Sequence, residues 1–163
     1  MRSLTTWLGV RAPARLPREA AREPLRGWRA WQVVDGRHGP ALVSWCVGTV
    51  WPARRELQSG CFIHGPRPAA QHRCGIHAFD ALEDALAYAD ASQERLRLFD
   101  RRPVGIAVGR VSCWGHVVRH TLGWRSQFAY PYDLYLLSDD PALARSLANR
   151  YAVDATPGAP VVA

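Results

Sequence analysis

The stretch Gly27-Trp28-Arg29-Ala30-Trp31-Gln32-Val33-Val34-Asp35-Gly36 decides how the chain is read. Aromatic and β-branched residues dominate it, and such side chains suit the pleated, half-buried surface of a strand. The Asp-Gly pair that closes it is a turn signal. Ala41 to Val50 then supplies a partner strand, and with Gly39-Pro40 also intervening, the pair is expected to be a hairpin with a longer loop.

Two further strands are expected at Val104 to Arg119 and Ala129 to Leu137, joined by a turn at Thr121-Leu122-Gly123. Two helices separate and follow these strands. Asp80-Ala-Leu-Glu83 has the form of a capping box, and Leu82, Ala85, Leu86 and Ala89 recur at helical spacing, which predicts a helix to about Ala91 with Glu83, Asp84 and Asp90 outward. Asp140 followed by Pro141 predicts a second capped helix whose inner face carries Leu143, Leu147 and Tyr151. The fold class is therefore α+β: a small mixed or antiparallel β-barrel-like sheet with two capped helices and a zinc-stapled loop.

Residues 1–26 hold Pro13, Pro17 and Pro24 among Arg and Ala, which predicts a flexible arm, either inert or able to clamp a phosphate backbone. One globular domain is expected over residues 27–155, with a frayed tail over residues 156–163.

Trp51-Pro52 ends the hairpin, and residues 53–70 read as a loop of a length that is uncommon without a clip. Cys61-Phe-Ile-His64 and His72-Arg-Cys74 lie in and just beyond this loop. Zinc takes thiolate sulfur and imidazole nitrogen in a tetrahedron, and two short-range pairs supply four such ligands at little loop-closure cost. Cys61, His64, His72 and Cys74 are accordingly assigned to a structural Zn2+, with His77 as a substitute ligand and Gly75 placed to let backbone amides approach a thiolate. The other reading makes both cysteines small buried hydrophobes and both histidines surface residues. Four protein ligands would close the site, and no His-Glu-x-x-His or zinc-deaminase signature occurs, so the pattern speaks against catalysis at this metal.

A second concentration of unusual residues runs from Cys113 to Tyr132. Strand alternation predicts Trp114, His116, Val118 and His120 on one face, with Cys113, Gly115, Val117 and Arg119 on the other. One reading makes the histidines satisfied polar groups. The other makes a ligand-binding face, with His116 and His120 able to hold a metal or anion, and Trp114, Trp124 and Tyr130 as stacking surfaces beside Arg119 and Arg125, the means by which small barrels hold bases. Trp124, next to Gly123 at a turn, is expected to be exposed, whereas Trp28, Trp31, Trp45 and Trp51 are expected to be mostly core. Cys113 and His116 are three apart on one strand and point to opposite faces, so they make a poor nucleophile and base.

The chain has 163 residues, 48% hydrophobic and 21% charged, which suits one globular domain and excludes wholesale disorder. Its net charge of +7 favours a polyanionic partner, yet all 21 basic residues are scattered Arg with no Lys, so no concentrated stripe forms. No apolar run is long enough to span a bilayer, no signal-peptide pattern is present, and four Cys are too few for a disulfide scaffold, so a cytoplasmic location is expected.

Cys74-Gly-Ile-His-Ala78, with Trp-Gly-His-Val-Val, Gly-Trp-Arg and Ala-Tyr-Pro between Trp114 and Pro131, resembles uncharacterised bacterial domains with a Cys-Gly-Ile-Tyr-Ala-like motif. The likeness covers residues 27–153. In such domains the position of His72 more often resembles a second Cys, which fits a metal ligand. The resemblance implies no activity. The expected function is a non-enzymatic binding module with a structural zinc, taking a nucleic acid or nucleotide-like ligand. A protein-interaction adaptor and a metal-dependent hydrolase built on His116, His120 and Asp133 are the alternatives.

Overall fold

The computed structural model describes residues 23–97 and 103–161, so most of the proposed arm, residues 1–22, lies outside the described residues. Among the described residues there are eight strands in one mixed sheet and two helices. The elements run β1 (Leu25–Gly36), β2 (Gly39–Val43), β3 (Leu57–Gln58), β4 (Ile76–Phe79), α1 (Leu82–Arg97), β5 (Gly105–His120), β6 (Gly123–Pro131), β7 (Asp133–Leu136), α2 (Pro141–Tyr151) and β8 (Asp154–Pro157).

Every pairing between named strands is antiparallel except β7 with β8. β1 lies against β5 from Leu25↔Cys113 to Val33↔Gly105, while its other edge meets β2 and, at Trp28↔Phe79, β4. β4 and β5 both pair with β6, so four strands form a closed circuit of ladders. Closure needs the β4–β6 turn region to come very close: a Cβ on Gly123 would lie 2.0 Å from the Ala78 carbonyl oxygen. Only a residue without a side chain fits there.

The core inside this arrangement is built on Trp31 and Trp51, which meet edge-on at 5.4 Å, together with Leu42, Val111, Leu134, Leu136, Leu147 and Tyr151. The Tyr151 hydroxyl accepts from Leu42 N at 2.9 Å and donates to the Trp51 carbonyl at 3.1 Å, so the end of α2 is bonded to the hairpin and the segment after it. Trp28 and Trp45 are only partly buried, against smaller clusters.

Several boundaries differ from the sequence reading for local reasons. The hairpin is tight, since β1 continues through Gly36 and pairs it with Gly39, whose φ of 93° only glycine adopts easily. β2 ends at Val43, and Val50 returns as a single bridge to it. Residues 53–70 include the two-residue strand β3, paired with β6. The expected strand from Ala129 to Leu137 is two strands broken at Tyr132. Leu25 and Arg26, assigned to the arm, begin β1, and Thr156 and Pro157, assigned to the tail, complete β8.

α2 starts as predicted: the Asp140 carboxylate accepts from Leu143 N at 2.9 Å and Pro141 opens the helix, and Leu147 and Tyr151 are buried as expected, with Ala144, whereas Leu143 is only partly buried against the core. α1 buries Leu82, Ala85 and Ala89, with Leu86 packed beside them, and runs on to Arg97. Its expected Asp80 cap is otherwise engaged, because both Asp80 carboxylate oxygens accept from the Arg119 guanidinium.

Candidate metal centre

Cys61 opens a closed turn in which Gly65 N–H donates to the Cys61 carbonyl at 2.9 Å, with Gly65 at a φ of 64°. This places His64 back over Cys61. The chain then passes through Pro68, which is fully buried, and returns with His72 and Cys74 immediately before β4. Gly75, at a φ of 111°, makes the return possible, since a Cβ there would lie 2.8 Å from Pro68 Cβ and 3.0 Å from Arg125 Cβ. Gly75, expected to let amides approach a thiolate, is instead required by this close packing.

The ligand atoms of Cys61, His64, His72 and Cys74 all lie within 4.8 Å of one another, close enough to hold one metal ion. Cys61 Sγ is 3.6 Å from both His64 Nδ1 and His72 Nδ1, and Cys74 Sγ is 3.8 Å from His64 Nδ1. A tetrahedron with Zn–S of about 2.3 Å and Zn–N of about 2.0–2.1 Å has S···N edges of about 3.6 Å. The three S···N separations of 3.6, 3.6 and 3.8 Å lie close to that edge, within a set of ligand atoms that spans up to 4.8 Å. Backbone N–H groups of His64 and Ile63 bond Cys61 sulfur and hold its thiol below the ordinary value, which favours the thiolate a metal needs.

The support beneath the loop comes from β6. Arg125 is 5% exposed, and its Nη1 donates to the Cys74 carbonyl at 2.7 Å and also to the His72 carbonyl. Burial pushes its pKa down, while the Cys74 thiolate counters that shift. Arg29 does similar work at the next strand, donating to the His77 carbonyl and, at 3.0 Å, to Ser44 Oγ. His77 is not a substitute ligand: its Nε2 meets the Arg73 carbonyl at 3.0 Å and its ring lies 5.5 Å from that of His120. Burial first, then the nearby Arg29, His120 and Arg125 charges, push its pKa down to about 4, so the imidazole is neutral and donates to that carbonyl.

The residues proposed for a binding face are dispersed. Trp124 is 8% exposed and belongs to the main core, not to an exposed turn. Arg125 faces the metal loop. Tyr130 is a strut whose hydroxyl donates to the Tyr151 carbonyl at 2.7 Å and accepts from Arg54 N at 2.8 Å. Arg119 pairs with Asp80 and sits over the Trp124 ring at 5.5 Å. Trp114 stacks on Phe128 at 6.1 Å, both half-buried, and His116 is exposed. Half-buried His120 also has its pKa lowered, chiefly by burial. The β5–β6 register shifts between Trp114 and Val117, a bulge at which Gly115 has a φ of 77°, while Cys113 and Val117, expected on one face, both pack on the main core.

The hydrolase constellation does not assemble. Asp133 is held by the Arg110 backbone N–H and guanidinium, and among the described residues the one metal-competent group of three or more His, Cys, Asp or Glu is the cluster above. Cys113 is fully buried, with its thiol pushed up by desolvation, which suits a core residue and not a nucleophile. Among the described residues no helix is long and apolar enough to cross a membrane. Compared with family models, curated proteins and solved structures, the chain matches none.

No local pattern in the sequence marks Arg125 and Pro68 as supports of the loop. The exposure of Phe62 and Ile63 had a signal, since residues between two ligands three apart have little choice but to face away from the metal.

Proposed function

We propose that the chain is a non-enzymatic binding module in which a zinc ion on Cys61, His64, His72 and Cys74 is a structural staple, and that its partner is a nucleic acid or nucleotide-like ligand. The observation that carries the staple is the set of S···N separations of 3.6, 3.6 and 3.8 Å. Two thiolates and two imidazoles in a tetrahedron suit zinc, and four protein ligands leave no position for a reacting water. The closed circuit of four ladders supports a small-barrel reading of the sheet. The net charge of +7 supports an anionic partner, and the reduced thiols that the site requires suit the cytoplasm.

The test is elemental analysis of the purified full chain, with Cys61→Ser and Cys74→Ser beside it. One zinc per chain is expected, released by either substitution, with residues 53–78 losing protection from hydrogen exchange. A wild type that is metal-free and equally protected in this segment overturns the staple.

A further inference from the structure

The metal turn displays what its ligands cannot hide. Because Cys61 and His64 both face the metal position, the two residues between them project from the tip of the turn. Phe62 has a relative exposure of 112% and Ile63 of 74%, adjacent large apolar side chains held out in water. The turn beneath them is closed by the Gly65–Cys61 backbone bond, and Ser59 Oγ donates to the Pro66 carbonyl, so the tip is braced from both sides. Beside the Phe62 ring lies a shallow cleft of about 610 Å³ formed by residues 58–62 and 65–66.

The charge along this stretch of chain has one sign. From Leu57 to Phe79 there is no Asp or Glu, whereas Arg67 and Arg73 are both exposed on the same loop. Two thiolates cancel the charge of a divalent metal, so the arginines set the field. Arg67 lies in the link between the two ligand pairs and Arg73 between two ligands, so the metal that orders the turn orders them too. An exposed ring beside a cleft, on a loop that carries two exposed arginines and no Asp or Glu, suits the stacking platform and positive groove by which proteins hold unpaired nucleotides.

We infer that the knuckle tip binds single-stranded nucleic acid, with an unpaired base stacked on Phe62 over the cleft, Ile63 against its neighbour, and phosphates on Arg67 and Arg73. This rests on the zinc reading, since the metal holds the turn. It also moves the binding surface away from Trp124 and Arg125, which are buried. Every base has a π-face, so the platform is tolerant of sequence. A duplex offers no unstacked base and is the poorer ligand.

Fluorescence anisotropy with the zinc-loaded full chain tests it, using labelled 12-nucleotide single-stranded RNA, single-stranded DNA of the same sequence, and the matching duplexes. The single strands are expected to bind at least about tenfold tighter than duplex. Phe62→Ala weakens single-strand binding about 5- to 150-fold, the range for losing one stacking aromatic. The double variant Arg67→Ala/Arg73→Ala lowers the slope of log affinity against log salt by about 1.4, two phosphate contacts on a single strand. Zinc content and melting temperature, measured on every variant, remain those of the wild type because the altered side chains are exposed.

The inference is overturned if the zinc-loaded wild type binds no single strand, if duplex binds equally well, if Phe62→Ala has no effect, or if the tip binds phosphatidylserine vesicles in preference to oligonucleotides. A wild type that carries no zinc refutes the staple alone when it still binds single strands through Phe62, and refutes both readings when it does not.

Discussion

Arg125 offers the sharpest check on how the sheet supports the metal loop. Arg125→Met keeps most of the side-chain length and removes the donors to the His72 and Cys74 carbonyls. Each hydrogen bond from a charged group contributes about 1.5–3 kcal/mol, but the buried guanidinium also bears a desolvation cost that the substitution relieves. The carbonyls lie at half-buried residues, so water can replace part of what is lost. The net effect should match that of other outer-shell partners of metal ligands, a 10- to 100-fold loss of metal affinity, or about 1.4–2.7 kcal/mol. With metal in excess, that loss appears directly as reduced stability of the zinc-bound protein. For a chain of this size it lowers the melting temperature by about 3–10 °C. Competition against a chromophoric chelator gives the affinity, and calorimetry gives the melting temperature. Arg73→Met, at an exposed position between the same ligands, is the control and should change neither. If Arg125→Met holds zinc within about threefold of the wild type and melts at the same temperature, the strut carries no energy and the loop is ordered by its ligands alone.

Trp124→Ala should destabilise the fold by about 3–5 kcal/mol, since it empties a core position where the ring meets Ala78 and Gly27; a soluble, normally melting variant with weakened oligonucleotide binding would instead restore Trp124 to a binding face. His77 predicts an acid limb of known sign. Its folded pKa, near 4, lies below the ordinary 6.5, so the unfolded chain binds the extra proton between these values. Stability therefore falls as pH drops from about 6.5 to about 4, by up to about 3 kcal/mol. Urea titrations across that window should show a shallower fall for His77→Gln, and an unchanged limb would mean that His77 is not held neutral. Protonation of the metal ligands is common to both proteins and cancels in the comparison.

The Cys/His cluster that could hold a metal was legible in the chain because it is a local property. Cys61 and His64, and His72 and Cys74, are bound to meet within each pair by spacing alone, and the Pro-containing link leaves the two pairs near one another. The start of the second helix was legible for the same reason, since the Asp140 cap and Pro141 act within one turn. The stripe of Leu82, Ala85, Leu86 and Ala89 was legible by its period, although Asp80 was misassigned because its partner, Arg119, lies 39 residues away. The expected exposure of Trp124 rested on its place beside a glycine turn, and a turn carries no information on what packs over it.

Residue types and short spacings thus determined the Cys/His cluster, the strand-rich class and the second helix cap. Tertiary structure decided the rest. The closed circuit of β1, β4, β6 and β5 buries Trp124 and turns Arg125 toward carbonyls 51 and 53 residues away. The bulge at Gly115 shifts the β5–β6 register, and the closure of the turn at Cys61–Gly65 leaves Phe62 and Ile63 outside. Each of these depends on which distant strands pair and in what register, and loop closure makes that a choice among many chain arrangements that no local pattern distinguishes.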